Sequence, residues 1–145
     1  QSIYLIDATI AENIAFGLNL SDIDIEKVKD AAKKAQISET IESLDEQYFT
    51  KVGERGIRLS GGQIQRIGLA RALYKDTDVI ILDEATSALD NSTETKVMNA
   101  IDKLNNDLTI FRVAHRHSTL KNCNKIIKIE SGRATTFNSY QEILD

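Results

Sequence analysis

The chain predicts an α/β fold, a mainly parallel sheet with helices around it. Three observations predict it. Val79-Ile80-Ile81-Leu82 is a short, wholly apolar, β-branched run, the pattern of a strand buried on both faces of a parallel sheet. It ends in Asp83-Glu84, and ligands of open α/β sheets sit outside the carboxyl ends of strands. Upstream, the polar turn Arg58-Leu59-Ser60-Gly61-Gly62-Gln63 runs straight into the helical pattern Ile64 to Leu73. Serine is a good N-cap, paired glycines let backbone N–H groups approach a ligand, and a helix N-terminus favours an anion such as phosphate.

The remaining elements follow in order. Thr9 is a reasonable N-cap for a short helix through Ile14. Between Asp24 and Gln36, Ile25, Val28, Ala31, Ala32 and Ala35 recur at helical spacing, while Lys27, Lys29, Lys33 and Lys34 mark a solvated face offset by neighbouring acids. Ser38 to Leu44 is a second short helix that buries Ile41 and Leu44. Thr50 to Gly56 is a glycine-bounded loop. Asp76-Thr77-Asp78 punctuates the entry to the first strand, and Thr86 to Asp90 forms a loop after it. Ser92 is expected to cap a helix whose Val97, Ala100, Ile101 and Leu104 face the core. Leu108 to Ala114 is another strand, in which Arg112 is out of keeping with an apolar run and calls for an accessible face or a nearby acid. Lys125 to Ile129 and Arg133 to Phe137 are two strands about Ser131-Gly132, and Asn138 to Asp145 forms a short terminal helix that packs Tyr140, Ile143 and Leu144.

Composition narrows the function classes. A net charge of −4 argues against a nucleic-acid-binding surface, and no apolar run approaches a membrane span of roughly 20 residues. The single cysteine, Cys123, cannot form an internal disulfide, which fits a reducing compartment and a packing role. At 145 residues, opening on Gln1 and holding no Gly-x-x-x-x-Gly-Lys-Ser/Thr loop, the chain reads as one piece of a larger domain.

Leu59 to Gln63, Ile80 to Asp90 and Ala114-His115-Arg116 resemble the signature motif, the Walker B strand with its catalytic glutamate and D-loop, and the switch histidine of ATP-binding-cassette (ABC) ATPases. The resemblance covers essentially all 145 residues. It implies a P-loop NTPase-like sheet with helices on both faces whose Walker A part lies upstream. Residues 1–145 would then be a partial nucleotide-binding domain: about 8–74 the helical subdomain with the signature, and 75–145 the part of the catalytic core with Walker B, D-loop and switch histidine.

The resemblance also implies the chemistry. ATP and Mg²⁺ are the expected cofactors, Asp83 the acid for the metal, and Gln1 a Q-loop residue reaching the metal and attacking water. Glu84 is the expected general base, a role worth about 10² to 10⁴ in rate, and His115 the switch that contacts the γ-phosphate. Ser60, Gly61, Gly62, Gln63 and Asp90 would close over nucleotide held by a second cassette in a head-to-tail dimer. Thr50 to Gly56 resembles the loop that touches the coupling helices of a transmembrane domain, although Lys51 stands where the family usually has an acid. His115 to Thr119 and Thr50 to Gln63 are similar to exporters with fused membrane parts. The expected activity is ATP hydrolysis driving export of a lipid, lipid-linked sugar, peptide or drug, at the cytoplasmic face of the membrane. Without Walker A, this piece alone is expected to be inactive.

Two other classes fit less well. Chromosome-maintenance and DNA-repair ATPases of the same family insert a long coiled coil, whereas only about sixty residues without sustained heptads separate Gln1 from Ser60. A separately made importer ATPase subunit lacks the exporter-type residues near Val52 and His115.

Overall fold

In the computed structural model, the described residues are 3–75, 77–83, 85, 86, 88–104, 108–113 and 120–144. Gln1, Glu84 and His115 lie outside them. Six α-helices are present among the described residues: α1 (Ile10–Ile14), α2 (Ile25–Lys34), α3 (Ser38–Glu42), α4 (Gly61–Tyr74), α5 (Asn91–Asp102) and α6 (Gln141–Leu144), with short 3₁₀ turns at Leu20–Asp22, Gln47–Phe49 and Glu54–Gly56. Strands β1 (Val79–Asp83) and β2 (Thr109–Val113) pair in parallel, with Val79 opposite Thr109 and Asp83 opposite Val113. Strands β3 (Ile126–Glu130) and β4 (Arg133–Phe137) form an antiparallel hairpin, turned by Ser131 and Gly132 at positive φ.

Local sequence accounts for the helix ends. Thr9 and Glu12 make a reciprocal capping box: the Glu12 amide donates to Thr9 Oγ1, and the Thr9 amide donates to Glu12 Oε2 at 2.9 Å. The Thr9 hydroxyl and amide hold the Glu12 carboxyl below its ordinary pKa. Asp24 caps α2 by accepting from the amides of Glu26 and Lys27. At α5 the cap is Asp90 rather than Ser92: its Oδ1 accepts from the Ser92 and Thr93 amides at 3.0 Å each, and from the Ser92 hydroxyl at 2.7 Å. A carboxylate oxygen two residues ahead can serve all three donors, which a serine inside the first turn cannot.

One contiguous core runs from Leu5 through α1, α2 and α4 to β1 and α5. Val28, Ala31 and Ala32 of α2, with Ala35 just beyond it, are buried with Ile67 and Ala70 of α4, while Ile80 and Leu82 of β1 join Val97 and Ile101 of α5. The small alanines of α2 let the two helices approach closely. Gly68 of α4 makes room for the N-terminal segment instead, because a Cβ there would sit 2.2 Å from Ile3 Cδ1.

The expectation that β1 is buried on both faces is corrected. Ile80 and Leu82 are buried, whereas Val79 and Ile81 are 49% and 69% exposed, and Phe111 and Val113 of β2 are likewise exposed. Alternation sends every second side chain to the far side of the sheet, and among the described residues nothing covers that side. A wholly apolar run carries no signal of which face is covered within a given stretch of chain.

Candidate functional site

The site is built around the start of α4. Gly53 and Gly56, at φ +75° and +72°, turn the chain ahead of Ser60, and Gly56 faces Leu5 so closely that a Cβ would meet its Cδ1 at 3.0 Å. Ser60 is extended and caps α4: its Oγ accepts from the Gln63 amide at 3.3 Å, and Gln63 Oε1 accepts from the Ser60 amide at 2.8 Å. The first intrahelical bond runs from the Ile64 amide to the Ser60 carbonyl at 3.0 Å. Of the three α4 amides that precede the helical ladder, that of Gln63 is given to the Ser60 cap, and Gly61 and Gly62 hold the other two, where a helix presents its positive end. Ser60 and Gly61 are exposed.

A second segment lies against this turn. The Ala88 amide donates to Gln65 Oε1 at 3.0 Å, and a Cβ added to Gly62 would meet the Ala88 carbonyl and Leu89 Cδ2 at 3.2 Å each. Leu89 is buried, and its amide donates to the Thr86 carbonyl at 3.0 Å. Thr86 in turn donates its hydroxyl to Glu94 Oε1 at 2.9 Å in the interior, so the loop is tied to α5 as well as to α4. Asp90 ends the loop, and the hydroxyl and amides of Ser92 and Thr93 hold its carboxyl well below the usual carboxylate range.

Of the residues singled out from sequence, Ser60, Gly61, Gly62 and Gln63 thus form one turn, and the segment ending in Asp90 packs beside it. Asp83 stands at the carboxyl end of β1 opposite Val113, half-buried, at the edge where α/β sheets bind ligands. Among the described residues no three His, Cys, Asp or Glu side chains gather as a metal site. A single protein carboxylate such as Asp83 fits Mg²⁺, a hard cation that is usually held by one or two carboxylates together with substrate phosphates.

Several supporting residues carry no motif. Arg71, near the end of α4, donates Nε to the Asn13 carbonyl at 2.8 Å and NH1 to the Tyr4 carbonyl at 3.0 Å, and its guanidinium lies 4.8 Å from the Phe16 ring centroid. Burial pulls its pKa down. Arg66 donates NH1 to the Gln36 carbonyl at 2.6 Å, which ties α4 to the end of α2. An arginine within the helical pattern of α4 was the available signal, but its partners lie up to 67 residues away. Gln36 sits at positive φ, and no polar pattern announces that.

Arg112 finds the acid that its place in a strand called for. Its guanidinium is ion-paired to Asp102 at the end of α5, and Asn122 Nδ2 donates to the other oxygen of the same carboxylate at 2.6 Å. The Arg112 side chain is 8% exposed, so the pair is largely shielded from water. Cys123 lies close by, half-buried, and burial pushes its thiol pKa up.

Residues 4–87 match the family model described as ABC transporter. The chain belongs to that family. Over all 145 residues it is 46% identical to an ATP-dependent lipid A-core flippase of Saccharophagus degradans, covering 100% of this chain and 24% of the relative. It is 41% identical to the heterocyst differentiation ATP-binding protein HepA of Nostoc, with the same coverage. A bacterial Atm1-family ABC exporter solved with ATP bound superposes with a TM-score of 0.90 at 37% identity, over 99% of this chain and 25% of that one. The chain therefore spans about a quarter of the length of the proteins it matches. Its α/β architecture, with the parallel pair β1–β2 and the helices α1 to α4 ahead of it, is that of the ABC ATPase, and the exporter character of its relatives agrees with the resemblance found in sequence.

Proposed function

We propose that the chain is part of the nucleotide-binding domain of an ABC exporter, in which ATP binding and hydrolysis drive a substrate across a membrane. Residues 8–74 would be its helical subdomain and 75–145 part of its catalytic core. One observation supports this above the others: the Gly61 and Gly62 amides stand at the exposed, capped N-terminus of α4, with the segment ending in Asp90 packed directly against them. A helix start built this way suits the phosphates of a nucleotide held by a second cassette in a head-to-tail dimer.

In this reading Asp83 and Gln1 serve Mg²⁺, Glu84 polarises the attacking water, and His115 orients both. Bound Mg²⁺ would neutralise charge on the phosphate oxygens. The exposed face of β1 and β2 would be covered by upstream parts of the same domain, including Walker A. The loop Thr50 to Gly56 would meet the coupling helices of the transmembrane domain on the cytoplasmic side. The flippase relative is named for lipid A-core, which puts a lipid first among the substrate classes to test, ahead of a lipid-linked sugar, a peptide or a drug.

The decisive test is Glu84→Gln in the full-length protein. ATP binding should persist while single-turnover hydrolysis falls by about 10² to 10⁴. Hydrolysis at the unsubstituted rate would refute the assignment of Glu84.

A further inference from the structure

Gln65 lies four residues after Gly61 and so on the same face of α4. On that face three contacts converge on residues 88 and 89. The Ala88 amide donates to Gln65 Oε1 at 3.0 Å, a Cβ on Gly62 would meet the Ala88 carbonyl and Leu89 Cδ2 at 3.2 Å, and a Cβ on Gly61 would meet Ala88 Cβ at 3.7 Å. Ala88 has only a methyl group to offer, so its main-chain N–H is the handle by which a directed bond can fix it. The two glycines allow van der Waals approach but impose no register. The hydrogen bond to Gln65 does, because it requires one amide at one distance and angle.

At its other end the segment is fixed to α5, through Thr86 and Glu94 and through the Asp90 cap. We propose that Gln65 is a positioning residue that locks residues 88–90 in register on α4, so that Ser60 to Gln63 and Asp90 meet a second cassette's nucleotide as one surface. The proposal rests on the nucleotide-sandwich reading above. Without the bond, the turn and Asp90 each keep their own cap and lose their fixed relation to one another.

The test uses the full-length protein and two variants. Gln65→Leu keeps the bulk and removes the acceptor, whereas Gln65→Glu keeps an acceptor oxygen at the same reach. In the first arm, run without nucleotide, amide exchange at Ala88 should be about fivefold faster in the leucine variant, as loss of one ordinary hydrogen bond implies, and close to unsubstituted in the glutamate variant. In the second, the ATP concentration for half-maximal closure of the two cassettes, followed by cross-linking, should rise about fivefold for leucine alone and stay close to unsubstituted for glutamate.

Unaltered Ala88 exchange in the leucine variant overturns the proposal, and so does equal impairment of closure by leucine and glutamate. If the unsubstituted protein does not close with ATP, the sandwich reading fails, and the nucleotide-free exchange arm still decides whether Gln65 holds the segment.

Discussion

Asn13 is fully buried and its side chain is used on every side, so Asn13→Ala is a severe perturbation with a calculable cost. Asn13 Oδ1 accepts from the Ile6 amide at 3.0 Å and from Arg71 NH2 at 3.3 Å, while Nδ2 donates to the carbonyls of Ile6 and Thr9 at 3.1 and 3.0 Å. Alanine deletes all four bonds but does not orphan all four partners. The Ile6 carbonyl also accepts from the Ala8 amide, the Thr9 carbonyl also accepts from the Asn13 amide, and Arg71 keeps its bonds to the Asn13 and Tyr4 carbonyls. What is left unsatisfied is the Ile6 N–H. Ile6 is half-buried, and a donor shielded from water without an acceptor costs about 1 to 3 kcal/mol, to which the net loss of the remaining bonds adds about 1 kcal/mol. The expected destabilisation is therefore about 2 to 4 kcal/mol. Spread over a domain of this class, that lowers the thermal midpoint by about 5 to 15 °C. Differential scanning calorimetry of the full-length protein reads the shift, and amide exchange at Ile6 locates it. A change below about 0.5 kcal/mol, or Ile6 exchange at the unsubstituted rate, would refute the reasoning by showing that another acceptor replaces Asn13.

Three further outcomes are expected. Asp102→Ala removes the carboxylate partner of a guanidinium that is only 8% exposed and should cost about 1 to 3 kcal/mol, whereas Asp102→Ala combined with Arg112→Leu should recover most of it; a denaturation series in which the double variant is worse than the single contradicts this. Gly68→Ala gains about 1 kcal/mol of helix propensity but drives a methyl group into Ile3, so thermal melting should show net destabilisation that is relieved by adding Ile3→Ala. The Asp90 carboxyl, held low by Ser92 and Thr93, contributes to stability above its unfolded pKa of about 3.9, and that contribution is lost as the pH falls through the lower folded value. An NMR titration should find Asp90 still ionised near pH 4, with the Ser92 and Thr93 amides unshifted; half-protonation at or above pH 4 would show the cap to be absent.

Element identity was legible wherever a short-range rule governs it. The α2 stripe, the Thr9 and Ser60 caps, the strand runs and the Ser131-Gly132 hairpin all follow from periodicity or from a side chain reaching a backbone group a few residues away. The α5 cap was misassigned to Ser92 because Ser and Asp two residues apart are both competent caps, and the competition is settled by geometry. The cap at Ser60 and the place of Asp83 at the end of β1 were legible because a helix start and a strand end are both set by local sequence.

The amino-acid sequence by itself determined the family, the fold class, the order of its motifs and the helix start suited to an anion. Tertiary structure alone decided which face of β1 is covered, that Asp102 answers Arg112, that Arg71 of α4 meets Asn13 of α1, and that Gln65 holds Ala88. The last three share a physical reason: hydrogen bonds and ion pairs act over a few ångströms and one donor can serve many acceptors, so the pairing is chosen by the packing that brings residues 10 to 58 positions apart into reach. The first is set by alternation, which fixes that the two faces differ but not which of them meets α5.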